Sequence, residues 1–178
     1  NSRIGETPRQ ISKKLTQIEA LRMDKISIMP ENFIQLLLKI SDDVRVILLL
    51  LADKIYCMRN IASFDESKQR KISTETTSLY IPLAHRLGLY KIKEELEVLA
   101  MQYNQPDIFM AIQKKIKESK TEQDKFFKTF TSPIAESLTQ VNLKSEIKYR
   151  IKSIPSIYSK MKKQGIDFDE VFDFFAIR

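Results

Sequence analysis

Lys144 to Met161 reads KSEIKYRIKSIPSIYSKM, and two different apolar periods meet inside it. Ile147, Tyr149 and Ile151 alternate with Lys148, Arg150 and Lys152, the pattern of a strand with one apolar and one basic face. Ser153 then stands where a helix N-cap belongs and Pro155 falls in the first turn. Ile154, Ile157, Tyr158 and Met161 form an apolar stripe, and Gly165 supplies the stop. Seven basic residues lie between Lys144 and Lys163 against one acid, Glu146, an excess of six in a chain whose net charge is +7. Guanidinium and ammonium groups beside the unsatisfied N–H donors of a helix start suit a polyphosphate. A solvated basic edge with no ligand fits the same spacing.

Outward from this junction, composition narrows the possibilities. A chain of 178 residues with 43% apolar content has enough to bury a core in one domain or two small ones. The longest unbroken apolar run, Val46 to Ala52, is far short of the roughly 20 residues that span a bilayer, so no membrane partner is expected. No opening stretch reads as a signal peptide, and the expected location is the cytoplasm. One cysteine, Cys57, and one histidine, His85, exclude an internal disulfide and a Cys/His zinc site. With three glycines and neither GxGxxG nor GxxxxGK, any phosphate has to be held chiefly by side chains.

Before Lys144 the pattern is helical. Thr7 and Pro8 start a helix carrying Ile11, Leu15, Ile18 and Leu21; Pro30 opens a second with Phe33, Ile34, Leu37 and Leu38. Ser41, Asp42 and Asp43 cap a third, Val44 to Met58, which is apolar nearly all round and is expected to be surrounded by other helices. Asp53 is its anomaly: either a metal ligand or half of a pair with Lys54, Arg59 or a neighbouring helix. Residues 68–87 form a further helix, kinked at Pro82 and ended by Gly88, with His85 near the kink as a hydrogen-bonding core residue. Tyr90 to Tyr103 follows. Then a long helical region runs from Asp107 to about Val141, with Ile108, Ile112 and Ile116 in register and Pro133 as its expected break. After Val141 the period drops to two, which marks a domain boundary, and a second strand is expected from Val171 to Arg178.

Two stretches resemble the RelA/SpoT-type (p)ppGpp synthetases and hydrolases of the bacterial stringent response. DVRVILLLLADKIYCMRN, with TETTSLYIPLAHRLGLYKIKEELEVLAMQY after it, is similar to the end of the hydrolase domain and the segment leading to the synthetase. YRIKSIPSIYSKM followed by DFDEVFDFFAIR is similar to the start of the synthetase domain. The resemblance implies a mostly α chain. Residues 1–104 are then the C-terminal part of an HD-type helical hydrolase domain and 105–141 a helical linker. Residues 142–178 are the first strand–helix–strand of a nucleotidyltransferase-like α/β synthetase domain.

Residue by residue, the resemblance assigns Asp53 to the hydrolase Mn²⁺, with Cys57 and Asn60 where the family has the Asn and Thr of the nucleotide pocket. The family's earlier His and His-Asp ligands have no counterpart here, so the hydrolase side is expected to be a remnant. Arg150, Lys152, Ser156 and Lys160 match the loop gripping ATP, and Asp173 matches the Mg²⁺-binding Asp of the synthetase. Tyr149 stands where the family has a glycine, and Ile151 and Ser153 replace its Pro-His pair. The implied parent is a GTP pyrophosphokinase, a (p)ppGpp hydrolase or both. Its ligands are ATP with GDP or GTP, or (p)ppGpp, and the ribosome, RNA or further subunits are partners through other regions. This chain alone is expected to be inert, no residue before Arg178 serving as the general base for the 3′-hydroxyl. The competing reading is a helical regulatory module whose basic edge binds RNA or another polyanion, with steep salt dependence and no nucleotide preference.

Overall fold

The structure, a computed structural model, describes residues 5–24, 32, 35, 43–144, 146–171 and 175–177. It is mostly helical, in agreement with the apolar spacing, and divides into two compact units, Asn1–Asn104 and Gln105–Arg178.

The first unit contains α1 (Glu6–Asp24), α2 (Val44–Arg59), α3 (Glu66–Glu75), a π-turn (Thr76–Tyr80), α4 (Ile81–Arg86) and α5 (Tyr90–Asn104). Its core gathers Ile18 of α1, Val46, Ile47, Leu50, Leu51 and Met58 of α2, Leu79 and Tyr80 of the π-turn, Leu83 of α4, and Leu96 of α5. Asp43 caps α2 by accepting from the backbone N–H of Arg45 at 3.0 Å; Ser41 and Asp42 lie outside the described residues. So do Phe33, Ile34, Leu37 and Leu38 of the helix expected from Pro30. The expectation that α2 is enclosed on all sides is corrected. Val44, Leu48, Leu49 and Tyr56 are exposed, so the helix buries one stripe only.

The kink expected at Pro82 takes the form of a π-turn ahead of it. Proline has no N–H to continue the α ladder and its ring crowds the carbonyl four residues back. The chain inserts a residue instead, with Ile81 N–H donating to the Thr76 carbonyl. Gly88, at φ +72°, ends α4 as expected: Leu89 N–H returns to the Ala84 carbonyl at 2.9 Å and Gly88 N–H to that of His85 at 3.0 Å. His85 is not a core residue. It is exposed on the last turn of α4, edge-on to the Tyr90 ring at 5.9 Å.

The second unit contains α6 (Pro106–Glu118), α7 (Lys120–Gln140), β1 (Tyr149–Ile151), α8 (Ile154–Gln164) and β2 (Phe175–Ile177). Phe109 and Ile112 of α6, Ile157 of α8, and Phe168 and Val171 beyond it are buried. The expected break at Pro133 is also corrected: α7 runs through it, and the long helical region divides at Ser119. There the serine hydroxyl donates back to the carbonyls of Lys115 at 2.9 Å or Ile116 at 3.2 Å, while Ser119 N–H still reaches the Lys115 carbonyl at 3.0 Å. β1 and β2 pair antiparallel, Arg150 opposite Ala176 and Ile151 opposite Phe175. β1 is shorter than expected, with Ile147, Lys148 and Lys152 outside it, and Val171 is not part of a strand. Phe168–Glu170 forms a 3₁₀ turn with a capping box from Asp167, and Phe172, Asp173 and Phe174 lie outside the described residues.

Candidate functional site

The basic junction of the second unit is built by β1, two residues of extended chain and the start of α8. Arg150 is exposed on β1, Lys152 is half-buried just after it, and Ser153 is extended at φ −62°, ψ 148°, directly before the helix. Pro155 sits in the first turn of α8, where the absence of its N–H costs nothing. Ile157, at 1% exposure, anchors the helix, and Ile154, Tyr158 and Met161 flank it half-buried. This burial turns Ser156, exposed, and Lys160, half-buried, onto one face a turn apart. Gly165, at φ +65°, closes α8 with Ile166 N–H on the Met161 carbonyl at 3.1 Å, while exposed Lys162 and Lys163 complement the negative end of the helix.

The N-cap itself departs from expectation. The Ser153 hydroxyl pairs with the Ser156 hydroxyl at 2.9 Å and makes no hydrogen bond to the first-turn backbone. The first-turn N–H groups of α8 therefore lack the side-chain acceptor a serine N-cap normally gives. Arg150, Lys152, Ser156 and Lys160 thus follow one another from strand to helix around that end. Asp173, assigned by resemblance to the same site, lies outside the described residues.

In the first unit Asp53, Cys57 and Asn60 follow one another along one face of α2 and its C-cap, at i, i+4 and i+7. Asp53 is exposed between Leu49 and Tyr56, Cys57 is half-buried, and Asn60 bonds the Tyr56 carbonyl through Nδ2 at 2.8 Å. Neither basic neighbour considered for Asp53 pairs with it. Arg59 forks onto Glu95 of α5 at 2.6 and 3.0 Å, which raises the guanidinium pKa further, and Lys54 turns inward to Glu75 at 3.0 Å. Among the described residues no three His, Cys, Asp or Glu side chains group to hold a metal ion. Among the described residues, one exposed carboxylate beside a leucine and a tyrosine does not fit a catalytic divalent cation.

The pair of buried Lys54 with half-buried Glu75 and the Ser153–Ser156 contact are polar features that sequence reasoning missed. Lys54 had a visible signal: it is four residues from both Leu50 and Met58, on the buried stripe itself. Ser153 had none, because nothing in the local sequence separates a serine that caps the backbone from one whose hydroxyl turns to Ser156.

Several known proteins are similar to this chain. The HD domain family matches residues 8–90. The chain is 42% identical over 148 residues to a GTP pyrophosphokinase of Myxococcus xanthus, covering 83% of this chain and 20% of that protein. It is 34% identical over 177 residues to a guanosine-3′,5′-bis(diphosphate) 3′-pyrophosphohydrolase of Aquifex aeolicus, covering 99% of this chain and 25% of that one. A GTP pyrophosphokinase rsh of Brucella melitensis is 34% identical over 165 residues, 92% of this chain and 22% of its own. The chain thus spans about a quarter or less of these relatives. With the HD match over the first unit and relatives of both activities aligning through the strand–helix junction, the chain belongs to the RelA/SpoT-type family of (p)ppGpp synthetases and hydrolases.

Proposed function

We propose that residues 142–178 supply the ATP-phosphate grip of a (p)ppGpp synthetase, and that residues 1–104 supply a hydrolase-like helical domain that does not itself hydrolyse (p)ppGpp. Residues 105–141 link the two. The observation that carries this reading is the succession of Arg150, Lys152, Ser156 and Lys160 from β1 into the first turns of α8.

Pyrophosphoryl transfer from ATP to the 3′-hydroxyl of GDP or GTP spreads negative charge over phosphate oxygens, so catalysis rests on positioned cations and N–H donors. Arg150 offers a planar fork for two phosphate oxygens, and Lys152 and Lys160 offer compact charges from the two sides of the helix start. Ser156 donates its hydroxyl from the same face as Lys160. Mg²⁺, when bound, neutralises charge between phosphates, with Asp173 as the residue that would hold it. In the first unit Asp53 is the position at which a hydrolase would hold Mn²⁺, with Cys57 and Asn60 as the altered pocket positions.

Lysine acetylation footprinting tests the phosphate grip. MgATP is expected to protect Lys152 and Lys160 and to leave Lys162 and Lys163, at the far end of α8, reactive. Equal protection of all four contradicts the reading and favours a general polyanion surface, including RNA.

A further inference from the structure

The buried lysine of α2 is unexplained by packing alone. Lys54 is 4% exposed, its Nζ lies 3.0 Å from Glu75 Oε2, and the same Nζ stands 4.4 Å from the centroid of the Tyr80 ring, itself 4% exposed. Glu75 is the last residue of α3 and Tyr80 the last of the π-turn. In an uninterrupted α-helix, residues five apart point about 140° away from each other, since each residue turns about 100°. The extra residue of the π-turn removes about one such step and brings the two side chains to within about 40°. That is how both reach one ammonium.

We infer that Lys54 is a positioning residue. Through Glu75 and Tyr80 it fixes the rotation of α2 about its axis, and so the direction in which the Asp53–Cys57–Asn60 face is presented. The apolar stripe of Val46, Ile47, Leu50, Leu51 and Met58 holds the helix against the core, but apolar contact is non-directional and tolerates small rotations. A buried ammonium does not: rotating α2 by one residue position strands it away from its carboxylate in an apolar interior. Asp53 and Lys54 are adjacent and about 100° apart, so fixing one fixes the other. The consequence for chemistry rests on reading the Asp53 face as the hydrolase-like site; the mechanical statement does not.

Cys57 is a built-in reporter. It is the chain's one cysteine, is half-buried, and lies on α2 between the exposed direction of Asp53 and the buried direction of Lys54. The experiment is the rate at which a small aromatic disulfide labels Cys57 in the folded chain, with circular dichroism melts run in parallel. Lys54→Met and Glu75→Gln are each expected to change the rate by about fivefold or more. Lys54→Arg, which keeps the charge, is expected to restore it, and the double variant to show no more than the larger single effect. Unchanged rates in folded Lys54→Met and Glu75→Gln, even with lowered melting temperatures, would mean that the pair adds stability without setting the rotation, and the inference fails. If Lys54→Met does not fold, Glu75→Gln, which keeps the side-chain size but removes the negative charge that holds the ammonium, decides alone. The labelling needs no nucleotide, so its outcome is separable from any failure of ATP binding in the second unit.

Discussion

The hydroxyls of Ser153 and Ser156 stand 2.9 Å apart, so the residue placed to cap α8 is engaged with a side chain three positions on. A working serine N-cap is worth about 1 kcal/mol, and its removal is felt in helix stability. Here Ser153→Ala is expected to cost less than about 0.5 kcal/mol in urea melts, because no backbone N–H loses its acceptor. A loss near the usual value would mean that Ser153 caps the helix after all.

Asp43 carries a pH prediction for α2. The Arg45 side chain, and then the Arg45 backbone N–H, bond its carboxylate and hold the pKa at about 2, below the ordinary 3.8. A depressed carboxylate pKa adds stability that is present above the unfolded value and lost as pH falls through the folded one. The melting temperature is therefore expected to drop between pH 4 and pH 2, and to drop less in Asp43→Asn, which keeps a cap acceptor but does not titrate. Identical pH profiles for the two proteins would mean that Asp43 does not contribute to the acid sensitivity of α2.

Pro133 lies exposed within α7, where its missing N–H leaves the Thr129 carbonyl without its helical donor. Pro133→Ala restores that bond and gives up no buried contact. It is expected to stabilise the second unit by about 1 to 3 kcal/mol in thermal or urea unfolding. A neutral or destabilising effect would show that Pro133 has a role in α7 beyond interrupting the ladder.

Incubated with ppGpp and excess Mn²⁺, the chain is expected to release no pyrophosphate, since Asp53 has no companion ligands among the described residues. Turnover that Asp53→Ala abolishes would contradict this.

Much of the helical order was readable because its signals are local. Gly88 and Gly165 end their helices where expected because a positive φ excludes most other residues. Ile157 is buried where the stripe of α8 places it. The misses are places where a local rule did not decide the outcome. Pro133 looked like a break, yet an exposed helix absorbs one lost hydrogen bond when the turns on either side are intact. Composition made α2 look enclosed, but how many sides of an apolar helix are covered depends on neighbours that its own residues do not encode. Lys54 illustrates the same limit, because its partners Glu75 and Tyr80 share a side only through a π-turn that no propensity scale anticipates. For the candidate site, Arg150, Lys152, Ser156 and Lys160 were legible as a basic strand running into a helix. Their assignment to ATP came from resemblance.

Calorimetric titration of ATP and of GTP, each with Mg²⁺, into the chain and into Arg150→Ala at two salt concentrations tests the phosphate grip most directly. The chain is expected to bind ATP in preference to GTP, and Arg150→Ala to weaken ATP by roughly 1.5 to 3 kcal/mol, the loss of a charge-assisted contact. No ATP binding by the unaltered chain, or equal weakening of both nucleotides together with a steep salt dependence, would contradict it.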